Sequence, residues 1–507
     1  MIYFKHILFL VISSFIFCFS INDSLLVLKD SVEKKAILIP EYINDNSKFK
    51  FDYLGKNRKI FYDSNISYID DYESANITFS PYINNKNFRF KIDFEYFYPL
   101  KDSSLLTNDW SPIGILEKID YLELSLFNEK INLFLGEISD LSFGFGYLLN
   151  KYGNNYNYPV DRNVGFKLRL KNSNNSVSYN FFVSNIDELF NSGSLIGNHI
   201  SFLISDALPL RIGFGHIVDQ NQLINYKDSI DRDNRRINAF EIDFDMPLFN
   251  ILKKNVLLIG EFSAIKLPDT RYYKRVDDSQ FTNDKKFRDG LWGWMFPGLK
   301  YAINDYSMML AFNYNSSIFS PYYFNSTYDF ERVRYRLYDI INNEENFSNE
   351  SEELIKFSSD SVSVFIPKDL YSMINGYENT YPTYGFSASI DRMVDDNNYL
   401  SIQYSHLKEI TDNDTNLSFN SLWFNFCMSE SLLSFPYQLH LFLSKTFFES
   451  SNLNSLDENL MYGLSLNLNI YKKIFFLTEF RNTYYDQNID GEIDIISYIN
   501  TGLKIKF

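Results

Sequence analysis

One stretch near the end of the 507-residue chain has residue types and spacing suited to cation binding. Carboxylate and amide oxygens alternate before Gly491, which permits the sharp turn that a calcium loop of the form D-x-N-x-D-G requires. The candidate ligands are Asp486, Asn488, Asp490 and Asp494. Ser497 stands where a bidentate Glu belongs, so an acidic hairpin loop is the alternative. Calcium is the one cofactor that the sequence suggests.

The histidines do not form a recognisable catalytic set. After residue 20 they are His199, His216, His406 and His440, each on a different candidate strand. The sequence contains no nucleophilic-serine motif, no HExxH and no CxxC. We therefore expect no enzymatic activity, and we expect these histidines to be wall residues of the fold.

A Gly-Phe-Gly core occurs twice, at Gly144–Gly146 and at Gly213–Gly215. A phosphate-binding loop would need a helix directly after the glycines, and no helical pattern follows either one. Glycine within a strand more often marks a bulge or a bend, which we predict here. Downstream, Tyr152, Tyr156 and Tyr158 are expected either in an interfacial aromatic girdle or as a product of composition alone.

Three arginines alternate with apolar residues in the longest connection of the chain, Ser316–Pro382. They are Arg332, Arg334 and Arg336. If this stretch is extended inside a pore, the three guanidinium groups face one way and make an anion-attracting constriction. A solvated outer loop or strand tip is the alternative.

The elements that must position these residues are strands, because apolar and polar residues alternate strictly along most of the chain. In Phe88–Tyr96 and in Phe240–Met246 every second residue is apolar, and the residues between are charged. Such alternation places one face of a strand in an apolar phase and the other in water. About 20 segments of roughly 8–12 residues follow this pattern. The positions predicted to face an aqueous lumen are Arg89, Lys91, Asp93, Glu95, Lys167, Arg169, Glu241, Asp243, Asp245, Glu479 and Arg481.

The connections between these segments alternate in length. Short connections such as Asn128-Glu129 and Asn304-Asp305 take turns with long ones such as Ser139–Arg162. Outer-membrane barrels have short periplasmic turns and long external loops, and their tilted strands need ~9–11 residues to cross a bilayer. Counting back from the C-terminus puts every short connection on one side, which a soluble sandwich has no reason to do.

The last segment, Ser497–Phe507, alternates in the same way and ends on an aromatic residue. This resembles the terminal signature of bacterial outer-membrane β-barrel proteins, and the whole mature chain resembles their porin-like members. The resemblance implies that Phe507 is an assembly signal. It also implies two partners, the outer-membrane lipid and the β-barrel assembly machinery, which reads this strand.

The predicted fold is all-β: one transmembrane antiparallel β-barrel of about 20 strands, within a range of 16–22. A sheet in lipid must close on itself, because every backbone polar group needs a partner within the protein. A wall of ~16–18 strands already leaves an aqueous channel, so about 20 strands enclose more space than wall side chains fill. We expect Ser316–Pro382 to fold into or over that lumen.

The start of the chain predicts the compartment. Residues 1–20 combine Lys5, a short apolar run and small residues before a cleavage site, which is typical of a signal peptide for Sec-type export. Residues 21–58 are then a periplasmic or lumenal extension, and residues 59–507 are the barrel. Once Cys18 is removed, Cys427 cannot form an internal disulfide, and we expect it to be packed in the wall.

The composition narrows the function. Acidic residues number 64 and basic residues 48, and the resulting net charge of −16 argues against a nucleic-acid partner. We expect a bacterial outer-membrane channel for passive diffusion of small hydrophilic solutes. Two alternatives remain open: a surface structural or interaction protein, and a transporter of hydrophobic compounds with a hatch formed by Ile21–Lys59.

Overall fold

The computed structural model of the protein describes most of the chain beyond residue 58. The described residues are 59–69, 72–85, 87–99, 112–154, 163–204, 209–222, 236–251, 254–266, 273–277, 280–283, 291–303, 305–316, 319–339, 356–357, 361–368, 382–395, 398–410, 418–428, 437–449, 460–471, 474–485 and 494–506. The predicted signal peptide, the N-terminal extension and Phe507 lie outside them.

Strands make up most of this part of the chain. In chain order they are β1 (Lys59–Ile69), β2 (Tyr72–Asn85), β3 (Phe88–Ile92), β4 (Phe94–Pro99), β5 (Ile119–Leu126), β6 (Ile131–Gly136), β7 (Gly165–Lys171), β8 (Val177–Val183), β9 (Leu195–Leu203), β10 (Arg211–Asp219), β11 (Ile237–Ile251), β12 (Lys254–Lys266), β13 (Tyr273–Asp277), β14 (Gln280–Asn283), β15 (Trp292–Ile303), β16 (Tyr306–Asn315), β17 (Val333–Asp339), β18 (Lys356–Phe357), β19 (Ser361–Pro367), β20 (Thr383–Asp395), β21 (Asn398–Glu409), β22 (Ser418–Met428), β23 (Tyr437–Glu449), β24 (Leu460–Tyr471), β25 (Ile474–Tyr485) and β26 (Asp494–Lys506). The helices are α1 (Pro112–Glu117), α2 (Ile186–Asn191) and α3 (Tyr328–Glu331). In the described residues no helix has the length and apolar character needed to span a membrane.

A single antiparallel sheet of 21 strands closes on itself. Strand β26 returns to pair with β1, from Phe61↔Lys506 to Ile69↔Tyr498. Strands β3 and β4 pair with β2 in one continuous register that is interrupted at Asp93, so together they fill one position. Counting them as one reduces the 21 strands to 20 wall positions, and the predicted barrel of about 20 strands is confirmed. The hairpin β13–β14 and the small sheet β17–β19–β18 stand outside the ring.

The connections alternate in length as the sequence predicts. Links of a few residues join β5 to β6, β15 to β16 and β24 to β25, whereas long connections join β6 to β7 and β16 to β20. The connection between β1 and β2 is an exception, because it consists of residues 70–71 alone where the alternation predicts a long connection. In an antiparallel ring this parity places the long connections at one end of the barrel.

The two faces of the wall have the reverse of a soluble protein's polarity. On β11, Phe240 and Ile242 are 50% and 45% exposed, while Glu241 between them is 1% exposed. The same holds on β21, where the buried alternate positions include Ser401 and Gln403. An apolar outer face and a polar inner face are what a wall between lipid and an aqueous interior requires. Cys427 is buried in this wall, as predicted.

Aromatic rings cluster on the outer face where β12, β15 and β16 approach the long connections. The rings of Phe262 and Trp292 stack at 6.2 Å between centroids, and Trp292 lies 5.7 Å from Tyr314. Trp294 lies 6.1 Å from the same tyrosine. Amphipathic rings at this height match the girdle that anchors a barrel at the membrane–water interface.

Candidate functional site

Two connections fold inward and join each other inside the barrel. We call residues 137–154, which follow β6, the inner loop, and residues 319–332, which follow β16, the covering segment. Asn150 donates its backbone N–H to the carbonyl of Phe324 at 2.9 Å, and Phe324 donates to Leu148 at 3.2 Å. A further backbone bond of 2.7 Å runs from Tyr322 to the carbonyl of Tyr147. The two segments therefore provide hydrogen-bond partners for each other's backbone groups, without using the wall strands for these bonds.

Apolar packing fixes this pair against one side of the wall. Phe143 of the inner loop meets Phe182 of β8 edge to face, with 5.6 Å between ring centroids. The inner-loop residues Leu148 and Leu149 are fully buried, as is Phe324 of the covering segment. They share one cluster with inward residues of the wall, which include Leu195, Ile217, Ile237, Ala239, Leu257, Ile259, Met295 and Ala311. The largest apolar core in the described chain thus lies inside the barrel, between loops and wall.

The inner loop crosses the lumen to the opposite wall. It leaves β6, and its far end reaches β21 and β22, which stand about half the ring away. The Asn150 side chain donates to Gln403 at 3.1 Å, and the Lys151 ammonium lies 3.8 Å above the Trp423 ring and 3.4 Å from Ser401. The sequence places the narrowing loop in Ser316–Pro382. Part of that connection does enter, as the covering segment, but the loop that crosses the lumen is the earlier one.

A polar cavity lies between the inner loop and the wall. Its water-accessible volume is about 40 Å³. Its lining combines loop residues with residues of β15, β16, β20 and β21: Ser142, Gly144, Phe145, Asn150, Lys151, Lys300, Met309, Ser389, Asp391 and Gln403. Two lysines, one carboxylate and several neutral donors and acceptors therefore surround one space. Such a lining suits a hydrated solute with hydroxyl or charged groups.

A wall carboxylate holds the turn of the inner loop. Glu261 on β12 accepts the backbone N–H groups of Phe145 at 2.7 Å and of Tyr147 at 3.2 Å. Gly144 has φ +51°, and a Cβ there would lie 2.8 Å from a Glu261 oxygen. Glycine is therefore required both by the backbone conformation and by the close approach of the carboxylate.

Beside Glu261, three further ionisable residues converge on the buried inner face of β9–β11. His199 Nε2 lies 2.6 Å from Asp243 Oδ2, and Asp243 is the cross-strand partner of Glu261. Glu241 lies two residues along β11. Both of its carboxylate oxygens are buried, and no described residue donates a hydrogen bond to them. One ligand atom from each of His199, Glu241 and Asp243 lies within 4.8 Å of the others.

The second Gly-Phe-Gly makes the space for this trio. A Cβ on Gly213 would overlap the Asp243 carboxylate and the His199 ring, and one on Gly215 would overlap Glu241. Of the predicted bulge or bend, the bulge is wrong for this strand, because β10 pairs with β9 and β11 in continuous register. These glycines instead serve close packing of side chains on the inner face.

A buried ion pair anchors the covering segment to the end of β10. Arg332 donates to the two oxygens of Asp219 at 2.9 and 2.5 Å, and also to the carbonyls of Gly193 and Asn221. Tyr328 donates its hydroxyl to the same carboxylate at 2.6 Å. Arg332 thus links the covering segment to two other long connections.

The structure places Arg332, the first residue of the predicted arginine constriction, outside the extended strand. Arg332 follows α3 in helical conformation, with φ −56° and ψ −38°, so it precedes the alternation of β17. Its charge is neutralised by Asp219 and is not offered to a solute. The side chains of Arg334 and Arg336 lie outside the described residues.

A second carboxylate nearby, Asp329, has a different environment. It accepts the hydroxyl of Tyr152 at 2.8 Å. Desolvation raises the pKa of Asp329 to about 7, partly offset by the positive charge of Arg332. Tyr152 is fully buried here, so the aromatic-girdle alternative is wrong for it. Tyr156 and Tyr158 lie outside the described residues.

The strand register shows where the predicted lumen residues stand. It places nine of them on the inner face: Arg89, Lys91, Lys167, Arg169, Glu241, Asp243, Asp245, Glu479 and Arg481. Asp93 lies buried at the break between β3 and β4, and the side chain of Glu95 lies outside the described residues. That these residues line a solute path stays a prediction.

Their surroundings differ along the wall. Arg89 pairs with Glu123, and Lys91 lies 2.8 Å from Asp120 and 3.1 Å from Asp93. The Lys167 ammonium lies 4.3 Å above the Phe134 ring, and Arg481 stacks 5.3 Å from that of Tyr498. On β3–β5 the charges are thus balanced locally. On β11, Asp245 has Arg211 as its cross-strand partner on β10, whereas Asp243 and Glu241 lie opposite Gly213 and Gly215.

The remaining predicted sites fall outside the described chain. The candidate calcium ligands Asp486, Asn488 and Asp490 are not described, and of Asp494 only the backbone is, at the start of β26. The site residues that the sequence did not single out include Glu261, Lys151 and Lys300. Glu261 stands at an alternate position of β12, so the same pattern that identified Glu241 applies to it. No local pattern identifies Lys151, because its place depends on the path of the inner loop.

Comparisons with known proteins give likenesses of fold. No protein-family model matches the sequence, and no curated protein matches it. Among solved structures, the FrpB iron transporter from Neisseria meningitidis is 10% identical with a TM-score of 0.35, over 90% of this chain and 82% of that one. Wzi, an outer-membrane carbohydrate-binding β-barrel involved in group 1 capsule assembly in Escherichia coli, is 10% identical with a TM-score of 0.30, over 88% and 84%. OccK10 (OpdN) from Pseudomonas aeruginosa is 7% identical with a TM-score of 0.32, over 89% and 98%. The predicted β-barrel fold is confirmed by the closed antiparallel sheet of the chain itself.

Proposed function

We propose that the protein is a porin-like channel of the bacterial outer membrane, through which small hydrophilic solutes diffuse passively. The observation that carries this proposal is the inner loop, which crosses a 20-position barrel and leaves a polar cavity against the far wall. Export through the Sec route, insertion by the assembly machinery through Phe507 and the absence of catalysis belong to the same proposal.

The wall supplies the path and the inner loop sets its width. A barrel of this size encloses more space than inward side chains fill, so a segment that folds inward determines which solutes pass. Lys151 projects from the loop, while Lys300 and Asp391 project from the wall of the same cavity. Because both signs of charge are present, we expect size selection with weak preference between anions and cations.

The attachment of the loop to β21 offers the sharpest test. Replacing Asn150 and Lys151 together by alanine removes the contacts to Gln403, Ser401 and Trp423. We expect the wild-type protein to conduct in planar bilayers, and this variant to conduct more per channel and to admit larger sugars in liposome swelling. Asn174→Ala, in an exposed turn between β7 and β8, is the matched control and leaves both unchanged.

Folding is checked by heat-modifiable migration in SDS gels, and location by fractionation with the outer membrane. A folded wild-type barrel that carries no current and passes no sugar contradicts the channel. A double variant with wild-type conductance contradicts the role of the inner loop, because the loop would then not limit the path.

A further inference from the structure

The cluster on β9–β11 has the composition of a metal site. It consists of one imidazole and two carboxylates, contributed by His199, Glu241 and Asp243. Each is buried, with 7%, 1% and 5% of its surface exposed. They come from β9 and β11, on either side of β10, so the sheet itself fixes their separation.

Glu241 is the observation that points to a ligand. Both of its oxygens are buried, and no described residue donates a hydrogen bond to them. A buried carboxylate without a hydrogen-bond donor keeps its full desolvation penalty, which is larger when the group is charged. The nearest ionisable neighbours on β11 and β12 are Asp243 and Glu261, which add negative charge. A bound cation would supply the counter-charge that these residues lack.

The surrounding residues keep this space open and covered. Gly213 and Gly215 leave room for the imidazole and the carboxylates, as the overlap of any added Cβ shows. Phe143 of the inner loop stacks on the His199 ring at 5.4 Å between centroids. The site is therefore preformed by the wall and closed by an aromatic ring.

We propose that His199, Glu241 and Asp243 bind a divalent transition-metal cation, for which Zn²⁺ has the best-matched chemistry. Imidazole nitrogen and carboxylate oxygen bind zinc at about 2.0–2.2 Å, and three protein ligands with one open position are a common zinc arrangement. Calcium and magnesium prefer six or more oxygen ligands and do not select imidazole. Two carboxylates and Zn²⁺ sum to zero charge, which suits a buried site. This site is independent of solute diffusion.

The test uses the purified full-length barrel in detergent, stripped with EDTA, loaded with Zn²⁺ and desalted. We expect a single zinc ion per chain by mass spectrometry of the metal. X-ray absorption is expected to show nitrogen and oxygen ligands with imidazole scattering. Glu241→Gln and Asp243→Asn each remove one charged ligand, and we expect at least about tenfold weaker zinc binding from each.

Two carboxylates elsewhere serve as matched controls. Glu479→Gln removes an inner-face carboxylate on β25, and Asp490→Asn alters the acidic loop before β26; both are expected to retain zinc. Zinc binding that survives Glu241→Gln and Asp243→Asn overturns the site, as does loss of zinc in Asp490→Asn alone. If neither ligand variant migrates as a folded barrel, the X-ray absorption spectrum of the wild-type protein decides between the two sites. Imidazole and oxygen ligands support the proposed site, whereas sulfur ligation would assign the metal to Cys427 and overturn it. No zinc on the wild-type protein also overturns the proposal.

Discussion

Two clusters of buried carboxylates on the neighbouring strands β10 and β11 have opposite surroundings. At the C-terminal end of β10, Asp219 is fully buried and accepts two hydrogen bonds from Arg332 and a third from Tyr328. Further along the inner face, Glu241 and Asp243 are also buried, and of the described residues only His199 donates to them. Burial alone therefore does not tell a structural carboxylate from a binding one.

The difference lies in where the counter-charge comes from. Around Asp219 the chain supplies its own cation, and the result is an anchor that ties the covering segment to the wall. No described residue places a positive charge beside Glu241, although Gly213 and Gly215 of the wall leave room for the carboxylates. We call the carboxylate paired with Arg332 the closed group and the carboxylates with no cation among the described residues the open group. The closed group stabilises the fold only if both partners are kept, whereas the open group stabilises it only when a cation binds.

The largest effect is expected from removing the positive charge that pairs with Asp219. Arg332→Met removes the guanidinium and leaves Asp219 buried, with the Tyr328 hydroxyl as its side-chain donor among the described residues. We expect a loss of about 3–5 kcal/mol in the free energy of unfolding, measured by urea titration of the barrel in lipid vesicles. Arg332→Met combined with Asp219→Asn is expected to recover part of this loss, because the second change removes the stranded charge.

The control for this prediction is another arginine in an ion pair. Arg392 pairs with Asp305 at 3.1 Å, but at an exposed turn. Because water screens such a pair, Arg392→Met is expected to leave the unfolding midpoint unchanged within error. Equal losses for Arg332→Met and Arg392→Met would show that burial of the first pair contributes nothing.

The second effect is a pH dependence that separates Asp329 from Asp219. Desolvation raises the pKa of Asp329 to about 7, against 3.8 for a free aspartate. A carboxyl group whose folded pKa is raised binds its proton more tightly in the folded state, so its contribution is complete below about pH 4 and is lost as pH rises through 7. Glu188 and Asp219 strengthen this shift, and Arg332 opposes it.

Asp329→Asn isolates that contribution from the other titrating groups. Between pH 4 and 7 we expect the wild-type free energy of unfolding to fall relative to the variant, by at most about 1.4 kcal/mol per pH unit. Asparagine still accepts the hydroxyl of Tyr152, so the bond of 2.8 Å is retained. Parallel curves for the two proteins over this range would show that Asp329 titrates normally.

The fold could be predicted from the sequence because its cause is local. Lipid on one side of the wall and polar surroundings on the other impose a period of two on every strand, as in Phe240–Met246. The same local pattern correctly separated Glu241 and Asp243 from the apolar face. Connection parity added the topology, since an antiparallel ring returns every second link to the same end.

The site could be predicted only in part, because it depends on contacts between distant segments. That His199 meets Asp243 follows from the register of β9–β11 and from Gly213, whose role in side-chain packing has no signature along the chain. Arg332 fits an alternating pattern with Arg334, yet the turn of α3 takes it out of the strand. The path of the inner loop is set by packing against a wall formed from strands later in the sequence.

The smallest effect, and the one that most sharpens the contrast, compares two neighbouring glutamates in metal-free protein. Glu261 accepts two backbone N–H groups, so Glu261→Gln weakens the hold on the inner loop and is expected to destabilise the barrel by about 1–2 kcal/mol. Glu241 accepts none from the described residues, so Glu241→Gln removes an uncompensated charge and is expected to stabilise by a similar amount. Urea titration after EDTA treatment measures both.

Added Zn²⁺ is then expected to stabilise the wild-type protein and to leave Glu241→Gln almost unchanged, because a ligand stabilises only the state that binds it. Destabilisation by both substitutions in the metal-free protein would mean that Glu241 is as well satisfied as Glu261, and the distinction between closed and open carboxylate groups would fail.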